Sequence, residues 1–229
     1  MDGKLLVMPP SPTDKTMWHA ILKTLACVHQ ISSDHLPDEI PLSVNAVQHP
    51  EDMLTIIRNR FATITDAESG HVNRSQLAML IDLLEAYIPN QWSQSAPQSL
   101  IHGDCHTANM IMRDNKIVLV DWENSGVSDP ALDISNMTSL WRFLHLPDSH
   151  HQWLITTYAK MIKDDWLVDR VRIYRLIQFV HWAVNYTLFV QRRLQEPVNS
   201  TIKHRFSLEF QLKWQQIYYE KACTQLGIG

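Results

Sequence analysis

The residues His102-Gly103-Asp104-Cys105-His106-Thr107-Ala108-Asn109 are followed, twelve positions after Asn109, by Asp121-Trp122-Glu123 at the end of an apolar run. Two carboxylates and a carboxamide at this spacing suit phosphoryl transfer. That chemistry needs one group to hold and deprotonate an acceptor hydroxyl, and oxygen ligands for the magnesium that neutralises charge on the transferred group. Asp104 is the candidate base, and Asn109 and Asp121 are the candidate metal ligands. A His-x-Asp-x-x-x-x-Asn match alone arises by chance in roughly one chain per hundred of this length, and the downstream Asp at hairpin distance with Asp129-Pro130 and Asp133 lowers that to about one in ten thousand.

The elements that must position these groups follow from the intervening residues. Met110-Ile111-Met112 and Ile117-Val118-Leu119-Val120 are β-prone runs separated by Arg113-Asp114-Asn115-Lys116, which has turn chemistry, so the segment reads as a hairpin. Asn109 enters the first strand and Asp121 leaves the second, which lets both side chains reach one cation. Asp104 sits on the loop before them. Elsewhere helical spacing predicts helices over 13–31, 52–64, 73–88, 130–143, 149–163, 166–194 and 199–226, with Asn73 and Gln76 as a capping pair. Lys4 to Met8 reads as a short strand ended by Pro9-Pro10.

The segment from about Leu100 to Asp133 resembles the catalytic core of the aminoglycoside phosphotransferase and choline kinase superfamily, small-molecule relatives of the protein kinases. His-Gly-Asp, the Asn five positions after the Asp, Asp-Trp with an acid, Asp-Pro and a further Asp all have matches here, and Leu25-Ala26-Cys27-Val28-His29 fits a helix ending of that family. The resemblance implies an α+β, mainly helical fold: a protein-kinase-like carboxyl-terminal lobe with a short hinge strand and a small β-hairpin at the active site. It implies Asp104 as catalytic base, Asn109 and Asp121 as magnesium ligands, His102 as a support beneath the loop, and Asp133 as a buried acid bracing it. Glu123 matches an acidic position facing metal or substrate, and Met8, Ile111 and Val120 would line the adenine of ATP or GTP.

Read this way, 1–229 is a single lobe: a hinge segment at 1–12, a helical part at 13–99, the catalytic loop and hairpin at 100–133, and a helical substrate-binding part at 134–229. No room remains before the hinge for the amino-terminal lobe that carries a phosphate-pairing lysine in the family, and the six glycines nowhere cluster into a phosphate-covering loop. A catalytically impaired homologue acting as a binding or scaffold protein is therefore the alternative, and a separate chain or a second copy could cover the open side. A third reading is a metal-dependent hydrolase using the alternating His102, Asp104 and His106. It leaves Asn109, Asp121 and the hairpin unexplained, and His150-His151 at a helix start reads as a solvated pair.

With 229 residues, 45% hydrophobic and 19% charged, the chain can bury a core, and a formal charge of −4 does not point to nucleic acid or an anionic membrane as partner. Three cysteines without metal-ligand spacing, no signal-like opening and no long apolar run give the expectation of a soluble cytoplasmic protein. From 134 onward twelve Lys or Arg face seven Asp or Glu, the reverse of what a polycationic aminoglycoside would select. Trp182 and Tyr186 lie in an aromatic stripe that reads first as core, and otherwise as a cradle for a small amine. Choline-like or other small alcohols then outrank aminoglycosides as acceptor.

Overall fold

The computed structural model describes residues 3–37, 49–67, 70–92, 96–114, 116–196 and 204–228. Among them the chain is mainly helical, with short strands in two small sheets. It divides into two compact units, one formed by 1–48 with 94–175 and the other by 49–93 with 176–229.

In the first unit, strand β1 (Lys4–Leu5) precedes helix α1 (Lys15–His29). Asp14 caps α1 by accepting from the Met17 N–H at 3.0 Å, and Trp18, Ile21, Leu22, Leu25 and Ala26 recur at helical spacing to give it one buried face. Strands β2 (Ser99–Ile101), β3 (Met110–Arg113), β4 (Lys116–Leu119) and β5 (Gly126–Ser128) follow. The expected hairpin is β3 and β4, in register Met110↔Leu119 and Met112↔Ile117, and β1 adds to it through Leu5↔Ile111. The strand at the start is shorter than its Lys4–Met8 reading, because Pro9 and Pro10 follow and Val7 and Met8 are exposed.

The second sheet was not legible in the sequence. Strand β2 pairs antiparallel with β5, Ile101 opposite Gly126 and Ser99 opposite Ser128. This pairing closes residues 102–125 into one loop, so the chain enters and leaves the hairpin region at a single point.

Helices α4 (Ala131–Ser139), α5 (Asp148–Ile162) and α6 (Leu167–Leu194) come next, and α6 runs on into the second unit. Every residue of α4 is buried, and it ends four residues before the expected 143 as the chain turns through Leu140, whose N–H still reaches Asn136. His150 and His151, expected as a solvated pair, are buried instead: His150 packs on Trp18 and Trp153, and His151 bonds the Phe143 carbonyl at 3.1 Å. Burial pushes the His151 imidazole down to about 4, so it is neutral at pH 7.

The second unit contains α2 (Pro50–Phe61), α3 (Arg74–Gln91), the later part of α6, and α7 (Leu208–Leu226). The expected capping pair is present, with Asn73 accepting from the Gln76 N–H and Gln76 from the Asn73 N–H, each at 2.9 Å. Helix α7 begins nine residues later than the expected 199, at a cap made by Ser207; residues 199–203 lie outside those described. No helix among the described residues is long and apolar enough to cross a membrane.

One polar contact of the first unit was hidden from pattern reading. Arg170, on α6 and 1% exposed, forks onto Asp129 at 2.8 and 3.2 Å and onto Asp164 at 2.7 and 3.2 Å. Burial pushes the Asp129 carboxyl up against the pull of the guanidinium. Removing the cation would strand buried carboxylates, a loss of about 3–5 kcal/mol for such pairs. Arg170→Met should therefore unfold at markedly lower urea, and the double variant with Asp129→Asn should recover part of the loss; an unchanged urea midpoint in Arg170→Met would show the pair to be idle.

Candidate active site

Between Ile101 and the hairpin the chain turns through Gly103, whose φ is +77°. A Cβ there would lie 2.0 Å from the Asn124 carbonyl oxygen, so only glycine fits. Beneath this turn sits Asp133, fully buried on α4. Its Oδ2 accepts from the His102 N–H at 2.8 Å and its Oδ1 from the Gly103 N–H at 2.9 Å. Burial alone would raise this carboxyl; the hydrogen bond and charge of His29, together with the His102 N–H, outweigh it and hold the group below its ordinary range.

His29 ends α1 and reaches Asp133 Oδ2 through Nε2 at 3.1 Å, while its Nδ1 meets the Tyr158 hydroxyl. Burial pushes the Tyr158 phenol far up, so it stays protonated beside Nδ1. An ionised carboxylate can only accept, so His29 Nε2 carries a hydrogen that points at Asp133. Asp133 and His102, both singled out in the sequence, meet at this turn, and Tyr158 joins them as a member that no sequence pattern singled out.

His102 ties the loop to the hairpin. Its Nε2 donates to the Val120 carbonyl at 2.9 Å, and its Nδ1 accepts from the Asp104 N–H at 3.4 Å. Both ring nitrogens are thus committed to backbone, and no group of three His, Cys, Asp or Glu among the described residues is arranged to hold a metal. The alternation of His102, Asp104 and His106 therefore does not make a transition-metal site.

Asp104 and Asn109 are brought together: the Asn109 amide nitrogen donates to the Asp104 carbonyl at 3.0 Å and to its Oδ2 at 3.2 Å. This fixes the amide and turns Asn109 Oδ1 away, with no partner for that oxygen among the described residues. The other Asp104 oxygen, Oδ1, is likewise unengaged. His106 Nε2 lies 3.6 Å from Asp104 Oδ2, but burial, against the pull of that carboxylate, holds its imidazole below the usual histidine range. Cys105 is buried, and its thiol is pushed well up by burial and by Asp133 and Asp104, so it is inert rather than reactive.

Asp121 leaves the hairpin next to Val120, whose N–H bonds the Asn109 carbonyl at 3.0 Å. Its backbone is left-handed, φ 66° and ψ 62°, a conformation that costs a non-glycine residue about 1–3 kcal/mol. No protein group among those described engages its exposed carboxylate or that of Glu123. Trp122 packs on His102 with ring centres 4.8 Å apart and donates to the Leu119 carbonyl at 3.1 Å, which holds the strained corner.

The remaining expected residues are placed less closely. Ile111 and Val120 are half-buried at the sheet of β1, β3 and β4, whereas Met8 is exposed beyond the end of β1. Trp182 and Tyr186 belong to the second unit and stack with Tyr218, whose ring centre is 6.2 and 5.7 Å from theirs, as core aromatics do.

A model of the phosphotransferase enzyme family matches residues 4–161. Protein LicA of Haemophilus influenzae is 31% identical over 87 residues, 35% of this chain and 32% of that protein, so the match spans about a third of the relative. Three solved structures share the fold. A candidate aminoglycoside phosphotransferase of Ralstonia eutropha has a TM-score of 0.69 at 15% identity, over 99% of this chain and 71% of that one. Choline kinase LicA of Streptococcus pneumoniae has 0.60 at 14%, over 99% and 67%. A thermostable mutant of aminoglycoside phosphotransferase APH(4)-Ia, solved with ADP and hygromycin B, has 0.59 at 12%, over 100% and 70%.

The Asp133 anchor has a consequence for acid stability. A carboxyl held below its unfolded value stabilises the fold above the ordinary carboxylate range near 3.9 and ceases to do so as pH falls through the folded value. His29→Leu removes the side-chain donor and leaves only the His102 and Gly103 N–H groups to oppose burial, so Asp133 should protonate at higher pH. Tryptophan fluorescence should then report acid unfolding at a higher pH than in the parent; coincident acid transitions would contradict the anchor.

Proposed function

Because the chain belongs to the phosphotransferase enzyme family, we propose that it moves the γ-phosphoryl of ATP or GTP to a hydroxyl of a small molecule. The observation that carries this is the Asp104–Asn109 contact beside the corner at Asp121, because it groups an available carboxylate oxygen, an available amide oxygen and an unengaged carboxylate. A hydroxyl bound at Asp104 Oδ1 would be oriented by it and would give it the proton as the oxygen attacks. Asn109 holds Asp104 through the amide nitrogen, so the base does not swing away from the acceptor.

Asn109 Oδ1 and the Asp121 carboxylate are hard oxygen donors and fit magnesium, which when bound would offset charge on the phosphate oxygens. Glu123, equally unengaged at the same corner, is the candidate third acid toward metal or substrate. Ile111 and Val120 offer apolar surface to the base of the nucleotide, with Met8 at the end of the hinge strand. Support for a nucleotide donor comes from the ADP complex of a protein with this fold, and support for a small alcohol acceptor from the basic balance of the later helices, which disfavours polycations. Choline-like alcohols are the acceptor class to assay first, since both LicA proteins resemble this chain.

Two variants test the roles. Asp104→Ala should abolish phosphoryl transfer, a loss of about 10²-fold or more for a missing general base, while its unfolding curve stays that of the parent; substantial turnover would remove Asp104 from the base role. Asp121→Ala should weaken magnesium-nucleotide binding in calorimetry and relieve the left-handed strain only in part. Unchanged affinity would take Asp121 out of the metal site, and no nucleotide binding by the parent up to millimolar would favour the scaffold reading.

A further inference from the structure

One face of the sheet of β1, β3 and β4 is covered and the other is open. Met110, Ile117 and Leu119 are buried on the inner face, where α1 packs and the Thr24 hydroxyl approaches the Ile117 carbonyl at 3.5 Å. The register gives the outer row: Leu5 lies opposite Ile111 and Ile111 opposite Val118, so these three side chains share a face. Leu5 is 45% exposed and Val118 43%. Among the described residues ten large apolar side chains stand exposed, and five of them, Leu5, Val7, Met8, Val118 and Trp122, belong to this sheet or to the residues at its ends. Apolar surface concentrated in this way marks an interface.

Charge identifies the occupant. On the same face Arg113 and Lys116, opposite each other at the turn of the hairpin, lie two residues to one side of the Ile111–Val118 pair. Arg113 has only a loose contact, 3.8 Å, with Asp114. Two residues to the other side comes Val120, and then the exposed carboxylates of Asp121 and Glu123. The face therefore runs from basic through apolar to acidic, with the charged bands about 7–10 Å either side of the central pair. A second copy laid face to face about a two-fold axis perpendicular to the strands matches every band. Val118 then meets Val118 of the partner subunit, and Lys116 reaches Asp121 and Glu123 of the partner subunit. A two-fold axis along the strands would instead set like charges together.

We propose that the open face of this sheet is a self-association surface, occupied by a second copy of this chain turned end for end. The pairing itself is independent of the phosphoryl-transfer reading. Its consequence rests on that reading, which gives the acidic corner to magnesium and the apolar row to the nucleotide base. Lys116 of the partner subunit then stands in the place of the metal ion, so pairing and magnesium-nucleotide binding exclude each other and the dimer is the resting form.

The test is sedimentation velocity of the whole chain at about 1–500 μM, because one face of a small sheet makes a weak dimer. The sedimentation coefficient should rise reversibly with concentration, with half-association at about 10–100 μM. Val118→Glu, at an exposed position, should keep the parent's melting temperature and stay monomeric. Lys116→Glu and Glu123→Lys should each weaken association about tenfold. An equimolar mixture of the two should associate as the parent does, since each pair across the axis is again of opposite sign and mixing does not repair a folding defect. A parent that is monomeric throughout, a Val118→Glu variant that associates as the parent does, or a mixture no better than its components would overturn the pairing. Magnesium-ATP should return the parent to the monomer value. Binding in calorimetry with the dimer left intact would overturn the exclusion; no binding at all would fell the phosphoryl-donor reading and the exclusion with it, but not the pairing.

Discussion

The site is organised around one buried carboxylate. Asp133 has no contact with water, yet it is held below the usual carboxylate range because it accepts two backbone N–H groups and the imidazole of His29. A carboxylate in such a setting is costly to bury and strongly directional once satisfied, so it specifies the position of whatever donates to it. What donates is the turn at His102 and Gly103, and the turn then aims Asp104. The path from α1 and α5 to the candidate base therefore runs through His29, Tyr158 and one acid.

Around that anchor the loop is closed three times. Ile101 opposite Gly126 joins its two ends, His102 bonds the Val120 carbonyl, and the Asn109 carbonyl takes the Val120 N–H. Each closure is short, so little entropy separates the positions of Asp104, Asn109 and Asp121 once the β3–β4 hairpin has formed. The strained backbone at Asp121 belongs to the same logic: a residue in the left-handed region persists only where its surroundings over-determine it, and Trp122 wedged on His102 does that here. Phosphoryl transfer rewards such fixity, because positioning and charge stabilisation supply most of its catalysis.

The site was legible because its residues are consecutive and chemically distinctive; Asp104, Asn109, Asp121 and Asp133 could be singled out from type and spacing, and the hairpin from two β-prone runs around a turn. The long helices were legible because their apolar faces repeat over several turns. Strands β2 and β5 have three residues each, too few for an alternation to show. Arg170 looked like one more charge on a helix, since nothing in a sequence marks which arginine is folded onto two distant aspartates. The buried His150 and His151 failed for the opposite reason: polar type suggested water, while ring packing and neutrality permit burial.

We propose that Asn109 and Asp121, twelve positions apart, serve one cation beside Asp104. The most direct measurement is the anomalous difference map of a crystal grown with Mn²⁺ and a non-hydrolysable ATP analogue. A shared site gives a peak bonded at about 2.0–2.3 Å to both Asn109 Oδ1 and the Asp121 carboxylate, with Asp104 beside the terminal phosphate. A peak on only one of the two, or a nucleotide bound with Asp104 turned away from it, would contradict the claim.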